Sequence, residues 1–231
     1  MNSRRILKAG ESYTFSRYFE LSFTIDDILA ELNCTIERKH LTLPESSKIL
    51  DLRLLQQQLQ RHLSHIDLVN ETARREALIS PILFEVCDLT NQRLNIEYSI
   101  AVNDYLKGTL DYYIAAPQNL LVIEAKQSDI VRGFTQLAIE LIALDEWTKS
   151  TSEFLYGAVT TGEDWRFGVY NRALRKVTQD QKRYQVPEDL LMLVKILGVA
   201  DLKYESSFVM LNVAKRNEAS AEILCLWDTL R

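Results

Sequence analysis

An α/β domain is the fold class that this sequence predicts, on three observations. Strand-like runs cluster between residues 94 and 125 and recur between 154 and 170, with helical stripes before, between and after them. The resulting order is helix, three strands, helix, two strands, helix, which a layered α/β core accommodates. At 231 residues the chain is long enough for one substantial core, or one core with an appended subdomain.

Residues 1–66 read as a helical N-terminal extension packed on that core. Ile25 to Leu32 is a short amphipathic helix, begun near Thr24 with Asp26 and Asp27 in its first turn. Leu52, Leu55, Leu59, Leu63 and Ile66 mark one stripe at helical spacing, with Gln56, Gln57, Gln58 and Arg61 mostly off it. The stripe suits either packing on the rest of the chain or a dimer seam. Residues 67–231 form the second part of what is one structural unit.

Asn70 to about Leu89 reads as a longer helix with Leu78, Ile79, Ile82, Leu83 and Val86 on its apolar face. Pro81 lies inside it and predicts a kink or a split near Leu78. Leu94–Tyr98 alternates, Gly108–Ala115 is a second strand, and Leu120–Ala125 is a third. Pro117-Gln118-Asn119 supplies the turn between the last two. Ile130 to Trp147 is a strong helix that buries Phe134, Leu137, Ala138, Leu141, Ile142 and Leu144. Phe154–Thr161 and Arg166–Tyr170 are strands joined through Thr161-Gly162-Glu163-Asp164. Pro187 opens a helix to about Leu197, and the last twenty-odd residues have room for one strand and one short helix.

Hydrophobic residues at 47% and charged residues at 26% suit a soluble globular protein. No window approaches eighteen apolar residues, so neither a membrane span nor a membrane partner is expected. The basic start, Met1 to Lys8, runs into Ala9-Gly10-Glu11 instead of an apolar signal core, and a cytoplasmic location follows. Cys34, Cys87 and Cys225 are isolated, and their odd number and spacing argue against a disulfide framework or a cysteine zinc site. They read as buried structural thiols.

Two short strings carry the chemistry. In Gly108-Thr109-Leu110-Asp111-Tyr112, and again in Val122-Ile123-Glu124-Ala125-Lys126, a carboxylate sits in an apolar, strand-like run. An ionised group there is costly without a partner. Glu124 and Lys126 point the same way along a strand, and an antiparallel pairing brings Asp111 near Glu124. Mg²⁺ favours oxygen ligands and needs only one or two carboxylates, the rest of its shell being water and substrate phosphate. Such an ion acidifies water and offsets charge on a reacting phosphate, and Lys126 would orient the water or neutralise that charge. A structural ion pair between Glu124 and Lys126, or between Asp111 and a lysine, is the plain alternative.

Gly108-x-x-Asp111 and Ile123-Glu124-Ala125-Lys126, followed by a helix bearing Gln136, resemble the core of the PD-(D/E)XK nuclease superfamily over roughly residues 70 to 172. The stretch Asn70 to Pro81 is similar to the helix preceding the nuclease core in type I restriction motor subunits. Leu110 stands where the superfamily motif has proline. The resemblance implies a restriction-endonuclease-like core of helix, three strands, helix and two strands. It also implies a Mg²⁺-dependent nuclease, with Mn²⁺ as a substitute, whose partner is nucleic acid and in particular DNA. Asp111 and Glu124 would hold the metal and Lys126 would assist the water. Glu71, with Glu76 and Glu85 behind it, would be the first-helix glutamate, and Gln136 the residue on the following helix.

Arg132, Gln136 and Glu140 recur every four residues and share one helical stripe. It reads either as facing the catalytic edge, with Arg132 on phosphate, or as an ordinary solvent face. The net charge of −5 is awkward for a nucleic-acid enzyme, but Trp165 to Arg183 holds six cations against Asp180 alone. Arg166, Arg172, Arg175 and Lys176 are the expected backbone contacts in this basic strand-turn-helix region, unless the segment is merely a solvated face. His62 and His65 are three apart without a third ligand and read as surface histidines. No glycine-rich phosphate loop or G-x-S-x-G elbow is present. A homodimer is suggested by the leucine stripe and by the need to cut two strands. The competing reading is a non-catalytic nucleic-acid-binding or protein-assembly module that keeps the nuclease fold.

Overall fold

The computed structural model describes residues 5–115, 120–124, 129–148 and 151–198, with 120–124 described through their backbone. All of them belong to one compact unit, Met1–Asp201. Local chemistry starts most elements where the sequence places them. Helix α1 (Phe15–Glu20) is short and buries Phe15 and Tyr18. Helix α2 (Ile25–Glu31) is capped by Thr24, whose hydroxyl accepts from the Asp27 amide at 3.2 Å, with Asp26 and Asp27 in its first turn. Such a cap stabilises a helix by about 1 kcal/mol.

The extension is not wholly helical. Strand β1 (Thr35–Lys39) lies inside it and joins the sheet. Its Thr-Ile-Glu-Arg-Lys sequence is mostly exposed and lacks the apolar alternation that marks a strand. Helix α3 (Arg53–Leu63) buries Leu55 and Leu59, while Leu63 and Ile66, at the end of the predicted stripe, are 40% and 38% exposed.

The expected kink before Pro81 takes a definite form. Helix α4 (Glu71–Arg74) runs into a π-helical turn over Arg75–Ile79 and then into α5 (Ser80–Thr90). Proline has no N–H to give the carbonyl four residues back, that of Ala77. The His62 ring supplies the hydrogen bond instead, with Nδ1 donating to the Ala77 oxygen at 2.8 Å. His62 therefore has a structural partner. Asn91, in the left-handed region at φ 51°, ends α5.

Strands β2 (Leu94–Ala101), β3 (Lys107–Ile114) and β4 (Leu120–Glu124) form an antiparallel meander. Helix α6 (Ile130–Thr148) crosses over to β5 (Phe154–Thr160), which lies parallel to β4. Strands β6 (Asp164–Asn171) and β7 (Lys176–Asp180) continue antiparallel, and the two-residue β8 (Tyr184–Gln185) pairs with β6. The basic segment is thus strand-turn-strand, not strand-turn-helix. Helix α7 (Leu190–Leu197) starts three residues after Pro187. The intervening turn closes on itself, with the Gln185 amide donating to Asp189 Oδ2 at 2.9 Å and the Asp189 amide to the Gln185 carbonyl at 2.6 Å.

The sheet order is β1-β7-β6-β5-β4-β3-β2, with β1 parallel to β7. The architecture is α/β with a mixed sheet. One face buries Leu55, Leu78, Ile82, Tyr112, Phe167 and Leu193 under α3, α5 and α7. The other buries Phe15, Ile28, Leu110, Phe134, Leu137 and Tyr170 under α1, α2 and α6. The extension packs on the core directly, through α1 against α6 and β3. Cys34 and Cys87 are free, buried thiols. Among the described residues no helix is long and apolar enough to cross a membrane. The Pro117–Asn119 turn, Lys126, Cys225 and the element pair expected at the C-terminus lie outside the described residues.

Candidate active site

Asp111 sits where strand β3 turns over. Residues two apart in a strand share a face, yet Tyr112 and Ile114 are buried in the α5 core while Leu110 is buried in the α6 core. The neighbouring strand does the same: Leu94 packs on the α5 side, and Tyr98 and Ile100 on the α6 side. The β2–β3 pairing runs Ile96↔Tyr112 and then Tyr98↔Leu110, and omits the intermediate pair, Glu97 with Asp111. Glu97 is in the left-handed region at φ 52°, a conformation that breaks strand alternation and costs energy for any residue but glycine. Asp111 itself is half-buried.

The β3–β4 ladder ends at the same place. Its pairs are Ile114↔Leu120, Tyr113↔Leu121 and Tyr112↔Val122, and pairing stops one residue short of Asp111. Strand β4 continues to Glu124 through its other neighbour, Glu124↔Thr160 of β5. The last register pair between the two strands that carry the motif carboxylates is thus Tyr112–Val122, just before the acids.

The helix with Glu71 reaches the same end of the sheet. Thr160 receives the Gly162 amide at 2.8 Å and donates to the Asp164 carbonyl at 2.9 Å, shaping the β5–β6 turn. Gly162 is left-handed at φ 91°, and a β-carbon there would meet Leu78 at 3.2 Å and the Arg74 β-carbon at 3.6 Å. The α4–π-turn segment thus presses on the turn that follows Glu124's partner strand. Glu71 is half-buried at the first helical position, next to the cap Asn70, which accepts from the Ala73 amide at 2.8 Å. Glu76 is exposed and Glu85 half-buried; burial, then Asp88, raises the Glu85 carboxyl above its ordinary range.

Arg75, which the sequence did not single out, contacts Tyr112, the residue after Asp111, and Glu97 on the neighbouring strand. Its Nε donates to the Tyr112 hydroxyl at 3.2 Å, its Nη1 lies 3.4 Å from Glu97 Oε1, and its guanidinium carbon is 5.1 Å from the centre of the Tyr112 ring. The Ser80 and Tyr112 hydroxyls share a hydrogen bond of 3.1 Å. No motif marks these contacts, because they join residues 37 and 22 positions apart.

The α6 stripe does not present a solvent face. Gln136 is 6% exposed and Glu140 fully buried, and the Gln136 amide donates to Glu140 Oε1 at 2.8 Å. Arg132, by contrast, is exposed and 3.4 Å from Asp129. The basic segment is largely engaged within the chain. Arg172 is ion-paired with Asp145 and bonds the Ser152 carbonyl. Arg175 donates to the carbonyls of Asn33 and Leu32 at the end of α2. Lys176 pairs with Glu37 at 2.9 Å across the β1–β7 edge. Arg166 is half-buried, and burial first and Arg183 second push its guanidinium below the usual range.

Comparison with protein-family models, with curated proteins and with solved structures returns no match. A hard divalent ion needs only one or two carboxylates; of the two motif acids, Asp111 is half-buried on β3 and Glu124 is described through its backbone. No group of three or more His, Cys, Asp or Glu residues forms a richer metal site among the described residues.

Proposed function

We propose that this chain is a Mg²⁺-dependent nuclease, acting on DNA, with a restriction-endonuclease-like core and a site formed by Asp111, Glu124 and Lys126. One observation carries the reading. Asp111 lies where β3 inverts, opposite the left-handed Glu97 of β2 and one residue beyond the last β3–β4 register pair, and β4 leads into Glu124-Ala125-Lys126. Strain of this kind is kept where function uses it. The succession of α5, the β2–β3–β4 meander, crossover helix α6 and parallel β5 supports the same reading.

In this mechanism Asp111 and Glu124 supply hard oxygen donors on adjacent strands. A divalent ion held by them contributes Lewis acidity toward phosphate and acidified water. Lys126 orients the attacking water or neutralises charge gathering on the phosphate oxygens. Glu71, three residues before Arg74 on the helix that packs on the β5–β6 turn, supports the carboxylate pair, and Gln136 supports it from α6, where it bonds Glu140.

The test uses purified protein with supercoiled plasmid, linear duplex, branched DNA and RNA, each with Mg²⁺, Mn²⁺ or EDTA. Metal-dependent cleavage that disappears in Asp111→Ala and in Lys126→Ala is expected. Cleavage unchanged by both substitutions overturns the site. The engagement of Arg172, Arg175 and Lys176 within the chain favours the second reading, a non-catalytic assembly module. Absence of cleavage on all four substrates, with the chain folded, would support that one.

A further inference from the structure

Arg75 has a geometry that packing alone does not require. The π-helical turn begins at this residue and sets its side chain, 19% exposed, over β3. From there it reaches both neighbours of Asp111: Tyr112, which follows it in the chain, and Glu97, which would face it across the ladder if the pairing were continuous. Tyr112 is anchored in turn by Ser80 from the first turn of α5. One guanidinium therefore ties the helix to both strands at the interrupted pair.

We propose that Arg75 is a positioning residue for Asp111, a role that rests on the nuclease reading. At the inversion, the side chain of Arg75 bears on both residues that flank Asp111. The bond to Tyr112 fixes the residue after Asp111, and the contact with Glu97 fixes the strained residue opposite. Asp111 is thereby held in one orientation toward the strand that carries Glu124. Arginine suits the task because its planar fork bonds two partners at once, whereas lysine offers one flexible point charge.

The experiment measures Mn²⁺ binding by calorimetry, and kcat and KM on duplex DNA, for wild type, Arg75→Met and Arg75→Lys. Residues that orient a metal ligand typically contribute a factor of about 10 to 100 in metal affinity or activity. Arg75→Met is expected to lose that much in Mn²⁺ affinity and in kcat, with KM for DNA little changed, and Arg75→Lys to recover only part of it. Should Arg75→Met fail to fold, Tyr112→Phe removes one brace and keeps the ring, and a fall in Mn²⁺ affinity is again expected. Wild-type affinity and kcat in whichever of these variants folds overturns the role of Arg75 and leaves the nuclease reading intact. Wild-type protein that neither binds Mn²⁺ nor cleaves overturns the nuclease reading, and this role with it.

Discussion

Leu110 and Tyr112 lie two residues apart in one strand and are buried in opposite cores of the molecule. Asp111 is the residue between them. The inversion is matched on β2 by Glu97, so a single interrupted pair turns both strands over together.

A first prediction concerns Glu97. Valine favours ordinary strands, but a β-branched residue at φ 52° is strained by about 1–3 kcal/mol. Glu97→Val should therefore destabilise the protein in urea titrations, and Glu97→Gly should be tolerated better. The opposite order would mean that the left-handed conformation is not held in solution.

The buried pair on α6 gives a second. Removing one partner of a buried hydrogen bond costs about 1–3 kcal/mol. Glu140→Ala and Gln136→Ala should each destabilise, and the double variant should cost less than the sum, as expected for a direct contact. Glu140→Gln keeps an acceptor for the Gln136 amide and should cost less than Glu140→Ala. Additive losses would show that the 2.8 Å contact carries no coupling.

Arg172 gives a third. Its ion pair with Asp145 is largely shielded, with side chains 26% and 14% exposed. Breaking such a pair destabilises by about 3 kcal/mol when one partner stays buried. Arg172→Ala should lower the unfolding midpoint while leaving the salt dependence of DNA binding unchanged, since that slope counts phosphate contacts. A shallower slope without loss of stability would return Arg172 to the nucleic-acid surface.

Much of the fold was legible because its signals are local. The cap Thr24 starts α2, Pro81 disturbs the helix near Leu78, and the apolar faces of α5 and α6 follow helical spacing. The elements that escaped are those without such a signal. Strands β1 and β7 are five residues each and polar, and their pairing brings together segments some 140 residues apart. The motif strings were visible as strings. That Glu97 would be left-handed, and that Arg75 would reach it, depends on contacts between elements which no short window contains.

The same limit explains the charges. Arg172, Arg175 and Lys176 read as a basic run in the sequence, and their partners Asp145, Leu32, Asn33 and Glu37 come from elsewhere in the chain. The α6 stripe illustrates the reverse, because Glu140 reads more readily than Gln136 as a solvent-face residue and is fully buried.

A fourth prediction uses pH. Burial first, and Asp88 second, raise the Cys87 thiol from 9.0 to about 11. The folded state thus favours the neutral thiol more than the unfolded chain does. This contribution to stability is complete below pH 9 and is lost as pH rises toward 11. Thiolate is the reactive form, so peptide mapping after alkylation at pH 8 should find Cys87 unmodified in native protein and modified in urea. Rapid native modification would show that the site is open to solvent.

If Asp111 is a metal-holding carboxylate, the initial rate of plasmid nicking in Mg²⁺ shows it in Asp111→Asn beside an Asp51→Asn control. Asp51 pairs with Arg53 at the surface and is an acid outside the site. A fall of at least about a hundredfold is expected for Asp111→Asn, as loss of a ligand should exceed loss of its support, with the control close to wild type. Metal-dependent nicking by Asp111→Asn at the wild-type rate would contradict that role.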